Sequence, residues 1–215
     1  AVIMLPTVIL NSAYWGQCDS IYTTFIILTL LYLYREKYHR AFMFLGIAFA
    51  FKMQTIFIFP FIICFYIYKK QFSIFELLIT VFTFWISGIG AFVQGRSLLD
   101  PFRIYANQTG TYQYMHVNFP SFWMFVGNDY EWLKTAAIVM AAGICGMGLY
   151  IIMKRKLDCS RPENFVSIAS WFIWTCVLFL PAMHERYAYP LEILLVILTC
   201  INKDYLKYSS VAILF

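Results

Sequence analysis

Apolar runs close to the roughly 20 residues that a helix needs to cross a bilayer follow one another along this chain. Its basic residues gather in the short breaks between them: Arg35-Glu36-Lys37-Tyr38-His39-Arg40, Lys69-Lys70, Lys154-Arg155-Lys156 through Arg161, and Lys203 to Lys207. That alternation leaves few architectures open. Charged residues make up 13% of the chain, against roughly 25% in a soluble domain, so water is a poor candidate for the surrounding solvent. The expected fold is all-α, a polytopic transmembrane helical bundle forming a single domain over residues 1–215. The net charge of +5 resides in the loop clusters that membrane topology requires, so no nucleic-acid partner is expected. The six cysteines (Cys18, Cys64, Cys145, Cys159, Cys176, Cys200) are scattered, mostly within apolar runs. None forms a Cys-x-x-Cys, and neither a disulfide framework nor a zinc site is indicated.

Placing the basic clusters inside the cell, as the positive-inside rule asks, gives a consistent path. Ala1–Leu10 is the end of an outward helix, and Asn11–Asp19 an outer loop. Ser20–Tyr34 returns inward, Ala41–Phe51 goes outward, and Ile56–Tyr68 comes back after a turn near Lys52. Phe72–Val93 goes outward and Gln94–Trp132 stays outside as loops and short interfacial helices. Thr135–Met153 then runs inward, Phe165–Leu180 outward and Leu191–Ile201 inward. A single bent helix through Lys52 is the alternative, but it puts Arg35–Arg40 and Lys69-Lys70 on opposite sides. The short hairpin implies a water-filled cavity dipping in from outside, because irregular backbone at membrane depth needs protein or water partners. The chain opens within an apolar run too short to span, and Ser210–Phe215 stops as a new run begins. An internal fragment lacking helices at both ends is therefore expected. Asn107-Gln108-Thr109 matches a glycosylation sequon, a tripeptide common by chance.

Three ionisable residues in a row interrupt the last apolar hairpin, at Met183-His184-Glu185-Arg186-Tyr187 between Pro181 and Pro190. A charge at the bilayer centre costs at least about 2.5–3.5 kcal/mol, so such residues are expected to line a polar cavity and act there. On the path above they share the outer side with Asn11-Ser12-Ala13-Tyr14-Trp15-Gly16-Gln17-Cys18-Asp19 and Lys52-Met53-Gln54. Together these offer cations, carboxylates, carboxamides and aromatic rings, a suitable lining for a phosphate and a sugar. Lys52 and Arg186 suit phosphate oxygens through charge-assisted bonds. His184 suits phosphate as a donor, Gln17, Gln54 and Asp19 suit hydroxyl groups, and Trp15 and Tyr187 suit a sugar face or an isoprenoid chain. Plainer readings exist for each. Lys52 can snorkel from a helix end, Asp19 can cap the helix that begins at Ser20, and Tyr14 and Trp15 can be interfacial anchors. Glu185 and Arg186 can neutralise one another. Glu76 and Glu192, near helix ends, are expected in solvent, and His39 and His116 are expected in loops without a role.

Tyr14-Trp15-Gly16-Gln17-Cys18-Asp19, then Phe51-Lys52-Met53-Gln54 with Pro60, then Met183-His184-Glu185-Arg186-Tyr187 with Pro190, resemble the pattern of the GT-C membrane glycosyltransferases. The closest likeness is to bacterial proteins related to the mannosyltransferase that adds the second mannose of GPI anchors. Gly110–Gly127 looks like the outer segment of the same group, and His184-Glu185-Arg186 is similar to the His-Glu-Lys of the dolichol-phosphate-glucose-dependent transferases. The resemblance runs in order from Asn11 to about Pro190. It implies a GT-C-like bundle in a bacterial cell membrane, with an outward-facing site that moves a hexose, with inversion, from a polyprenyl-phosphate sugar to a lipid or surface-glycan acceptor. It also implies that a base takes the acceptor hydroxyl proton while Lys52, His184 and Arg186 stabilise the departing lipid phosphate. In that family the base is an acidic residue in the first outer loop, here expected before Ala1. Asp19 is the candidate within the chain, with Trp15, Gln17, Lys52, Gln54, His184, Glu185, Arg186 and Tyr187 as substrate-binding residues. No metal or other cofactor is expected. The competing function is a transporter or flippase of charged or lipid-linked substrates, built from similar broken helices; a third is a subunit that only binds polyprenyl lipid.

Overall fold

The structure is a computed structural model that describes residues 6–108 and 111–213. The first five residues of the expected outward helix, Thr109 of the sequon, Gly110, and the last two residues lie outside the described residues.

Helices make up nearly all of the fold. A short α1 (Pro6–Val8) runs into a π-helical turn over Ile9–Tyr14, followed by α2 (Asp19–Tyr34) and α3 (Tyr38–Phe51). A 3-10 segment, Met53–Ile58, then leads into α4 (Phe59–Lys69). Next come α5 (Glu76–Ile86), α6 (Ile89–Val93) and α7 (Asp100–Gln108). The long α8 (Tyr130–Arg155) and α9 (Pro162–Phe179) precede a 3-10 turn, Glu185–Ala188, and α10 (Tyr189–Ile201). The turn Lys203–Tyr205 and α11 (Leu206–Ile213) complete the described chain. Prolines start α4, α9 and α10, where the missing N–H of proline costs nothing. Pro190 thus opens α10 while α9 stops two residues before Pro181, which frees the residues between them from helical geometry.

The chain reverses at Lys52, whose backbone is extended (φ −157°, ψ 132°). Both ends of the resulting hairpin lie together. The Tyr38 ring at the start of α3 packs 5.3 Å from Phe72, just past the end of α4, and the Tyr38 hydroxyl meets Gln71. The same end holds the α8–α9 connection, because Tyr34 and Tyr68 donate to the carbonyls of Ser160 and Leu157. The basic clusters at Arg35–Arg40, Lys69-Lys70 and Lys154–Arg161 therefore share one end of the bundle, and Lys52 lies at the other.

α3 and α5 pack closely. Thr80 donates to the Phe42 carbonyl at 3.0 Å, and Gly46 lies against α5 so closely that a Cβ would stand 2.6 Å from the Thr80 carbonyl oxygen. The main core is aromatic, with Tyr22, Phe42, Phe61 and Phe172 fully buried and Phe165 meeting the ring of Phe61 edge-on at 5.1 Å.

Several expectations change. The helix preceding Asn11 does not end there: it continues as a π-helical turn to Tyr14, and Asn11 is buried rather than placed in an outer loop. The run 72–93 is not one helix. It breaks at Ser87-Gly88, where Gly88 lets the Trp85–Phe92 aromatic pair close and a Cβ would meet Phe92 at 2.9 Å. The all-helical reading misses one small sheet, in which β1 (His116–Val117) pairs in parallel with β2 (Met183–His184). Among the described residues, α8 alone is long and apolar enough to cross a membrane unaided; α2, α3, α5 and the Met53–Lys69 stretch are apolar but shorter.

Gly46→Ala should lower stability by about 1–3 kcal/mol through overpacking. Gly143→Ala, where a Cβ would meet nothing within 4 Å, should be neutral or slightly stabilising. Thermal unfolding of the detergent-solubilised variants separates the two; equal behaviour would contradict the α3–α5 contact.

Candidate functional site

Three breaks in helical geometry meet at the end of the bundle opposite the basic clusters: the π-helical turn before α2, the reversal at Lys52, and the stretch between α9 and α10. Asp19 lies in the first turn of α2 and is fully buried. It is not the cap of that helix, since Cys18 occupies the cap position and no side chain caps it. Instead, the Asp19 carboxylate is shared. Lys52 Nζ forms an ion pair with Oδ1, and Asn11 Nδ2 donates to Oδ2 at 2.8 Å. Lys52 also faces two rings, 5.4 Å from the centroid of Tyr22 and 5.7 Å from that of Tyr187, where cation–π attraction adds to the pair. Snorkelling of Lys52 to open solvent is therefore not what the chain does.

The His184–Tyr187 stretch closes over this pair. The segment over residues 94–132 holds it in place. Ala182 N–H donates to the Met115 carbonyl at 3.1 Å, and His116 and Val117 stand opposite Met183 and His184 in the parallel pair. Asn128 Oδ1 accepts from Met115 N–H at 2.6 Å, and the Trp123 indole donates to the Phe179 carbonyl at 2.8 Å. Ala182 adopts φ 60°, a left-handed conformation that costs a non-glycine residue roughly 1–2 kcal/mol, and it turns the chain out of α9 into β2.

Arg186 Nη1 donates to Gln17 Oε1 at 3.1 Å, linking the stretch to the turn before α2. Arg186 and Glu185 do not neutralise one another: neither belongs to an ion pair among the described residues, and Glu185 points to the exterior. His184 is buried edge-on between Tyr112, at 4.8 Å, and Tyr187, at 5.1 Å. Gln54 lies beside the Tyr187 side chain. Among the buried polar atoms here that have no hydrogen-bond partner are two nitrogens, Nε2 of His184 and Nε of Arg186. Burial, then the Arg186 guanidinium, pushes the His184 imidazole below its usual value; Lys52 adds to this and Glu185 opposes it.

Gln17, Asp19, Lys52, Gln54, His184, Arg186 and Tyr187 thus converge. Trp15 remains exposed and Glu185 faces outward. Sequence reasoning missed Tyr22, the Tyr112 wall and the anchoring by His116 and Asn128, and it left Asn11 without a role. It also placed two carboxylates in solvent that are not there. Glu76 pairs with His39 at 2.7 Å with its side chain 12% exposed, and Glu192 is half-buried with its Oε2 lacking a hydrogen-bond partner. Among the described residues no three His, Cys, Asp or Glu side chains gather as a metal-holding group.

An apolar cavity of about 450 Å³ adjoins the polar cluster, between the Met53–Lys69 stretch, α8 and α9. Phe57 connects the two, lining the cavity and standing 6.2 Å from the Tyr187 ring. No protein-family model, curated protein or solved structure matches the chain.

Asp19→Asn and Lys52→Met should each destabilise the fold by about 3–5 kcal/mol, because each strands a buried charge or its partner. The double variant should be more stable than either single one. Chemical denaturation of the four proteins measures the coupling, and simple additivity would exclude the pair as a buried unit. The depressed His184 value also sets a pH dependence. The unfolded chain binds the proton more readily, so this contribution is complete above about pH 6.5 and is lost as pH falls through the folded value. His184→Gln should flatten the stability profile below pH 6.5, measured as melting temperature against pH.

Proposed function

We propose that the chain is the donor-binding part of a polytopic membrane glycosyltransferase that takes a hexose from a polyprenyl-phosphate sugar. The observation that carries this reading is the join between two unlike surfaces. A cluster with two fixed cations and two unpartnered buried nitrogens, His184 Nε2 and Arg186 Nε, adjoins an apolar cavity through a single ring, Phe57. A ligand that matches both has a phosphate at one end and a hydrocarbon chain at the other. A free sugar or a nucleotide lacks the hydrocarbon, and a simple lipid leaves the cations without work.

The reading includes a membrane setting with several spans, which exposed apolar surface supports. Besides α8, the outward faces of α5 carry Leu78, Val81 and Phe82 in the open, and contiguous apolar surface of that kind is rare on soluble monomers. In a bilayer the basic end of the bundle faces the cytoplasm and the site faces outward. An impermeant maleimide added to intact cells should miss the exposed Cys200 at the end of α10, which a permeant maleimide labels. Labelling of Cys200 by the impermeant reagent would invert this orientation.

In the proposed reaction the acceptor oxygen forms a bond to the anomeric carbon as the bond from that carbon to the phosphate oxygen breaks. A base removes the acceptor proton. The electron pair leaves with the polyprenyl phosphate, and Lys52 and Arg186 stabilise its charge in a site largely closed to water. With both carboxylate oxygens engaged, Asp19 serves as the counter-ion that keeps Lys52 in place, and the base comes from another group. Neutral His184 offers Nε2 to the phosphate, whose negative charge favours imidazole protonation, so binding should tighten as pH falls from 7 toward 6. The test is transfer from polyprenyl-phosphate mannose or glucose by the full-length protein in membranes. Arg186→Ala and Lys52→Ala should abolish it while the protein still inserts. Undiminished transfer in both would sink the phosphate assignment.

A further inference from the structure

A second cavity, of about 230 Å³, lies at the opposite end of the bundle, where the basic clusters gather. The ends of α2 and α4, the α4–α5 and α8–α9 connections and the start of α9 wall it. Its floor is apolar, formed by the buried Leu33, Phe65, Cys159 and Phe165. Uncharged contacts brace the walls. The Tyr34 hydroxyl donates to the Ser160 carbonyl at 2.7 Å, and the Phe165 ring stands 5.4 Å from Tyr34 and 5.5 Å from Phe65. Two opposite charges, Glu36 and Lys69, line the same space. Gln71 locates the first, its Nε2 approaching Glu36 Oε1 at 3.5 Å. Tyr68 locates the second: Lys69 Nζ lies 6.0 Å from that ring, whose hydroxyl donates to the Leu157 carbonyl in the α8–α9 connection at 2.9 Å. Glu36 and Lys69 form an ion pair neither with one another nor with any other group among the described residues.

We propose that this cavity binds a zwitterion that joins a phosphate to a primary ammonium, the chemistry of a phosphoethanolamine group. A simple anion drawn to Lys69 is repelled by Glu36, and a simple cation drawn to Glu36 is repelled by Lys69. A ligand that carries both charges satisfies the two at once. Lys69 is a point charge suited to phosphate oxygens, and a primary ammonium offers three N–H donors to the Glu36 carboxylate. The apolar floor takes the short hydrocarbon link between them. The cavity is smaller than the roughly 300–1,000 Å³ that drug-sized ligands occupy, so it suits a headgroup rather than a whole lipid or a nucleotide. Two sources carry this group, free phosphoethanolamine and the headgroup of phosphatidylethanolamine. With the basic end toward the cytoplasm, as proposed above, the cavity lies on the side of the inner-leaflet headgroups, which favours the lipid. The binding chemistry itself does not depend on sugar transfer.

The test uses the full-length protein in neutral detergent with added phosphatidylethanolamine, phosphatidylglycerol or phosphatidylcholine, or with free phosphoethanolamine. Native mass spectrometry counts the bound molecules. Modification of Cys159 by N-ethylmaleimide reports on the cavity floor, with the exposed Cys200 as the control. Wild type should retain phosphatidylethanolamine over the other two lipids, since a glycerol headgroup carries no cation and a choline headgroup has no N–H to donate to Glu36. At a concentration about ten times its dissociation constant, this lipid should slow modification of Cys159 about tenfold and leave Cys200 unchanged. Glu36→Gln should erase the preference for phosphatidylethanolamine over phosphatidylglycerol, and Lys69→Gln should weaken retention of both. Protection of Cys159 by free phosphoethanolamine identifies a soluble ligand of the same chemistry, and protection by the lipid alone identifies the headgroup. Equal retention of the three lipids by wild type, unchanged selectivity in both variants, or binding that leaves Cys159 modification unaltered would each overturn the proposal.

Discussion

The ion pair between Lys52 and Asp19 is the constraint around which one end of this bundle is arranged. Neither charge is tolerable alone inside an apolar interior, where desolvation costs several kcal/mol per ion even after relaxation. Asp19 meets that cost with two partners, Lys52 and Asn11, and Lys52 with a carboxylate and two aromatic faces. The pair therefore pins three segments that are distant in sequence. The π-helical turn brings Asn11 inward, the first turn of α2 presents Asp19, and the extended residue at the end of α3 delivers Lys52. Tyr187 packs on the same cation, which brings in the stretch between α9 and α10.

A second layer of constraint comes from the segment over residues 94–132. Its two-residue strand and the Trp123 indole hold the chain on either side of Ala182 through bonds to backbone rather than by side-chain charge, and the Asn128 carboxamide braces Met115 within the segment. That leaves the charged side chains of the stretch unspent. Arg186 keeps a carboxamide partner and no carboxylate, and His184 is walled by aromatic rings that supply no hydrogen-bond acceptor to Nε2. A site built this way combines a satisfied pair, which gives rigidity, with buried nitrogens that no protein group engages.

Local signals made much of this legible. The basic breaks and the lengths of the apolar runs marked most helices and the hairpin at Lys52. The polar runs at 11–19, 52–54 and 183–187 marked the residues that meet. Less local features were hidden. Nothing in His116-Val117 announces a strand, because two residues carry no periodicity and the pairing partner lies more than sixty residues away. Glu192 and Glu76 read as solvated helix-end acids, yet Glu192 is half-buried and Glu76 pairs with His39 across the bundle. Asn11 read as part of a loop, because a π-helical turn has no distinct composition.

From residue order alone follow the helical class, the apolar character of the helices and the identity of the polar groups, since hydropathy, proline position and charge spacing act over a few neighbours. Which of those groups are spent on one another, and which stay available, depends on distances between segments far apart in the chain. Asp19 is the clearest case. As a residue it is a carboxylate suited to a base, a cap or a ligand. Its surroundings make it a buried counter-ion, because Lys52 and Asn11 arrive on either side and take both oxygens.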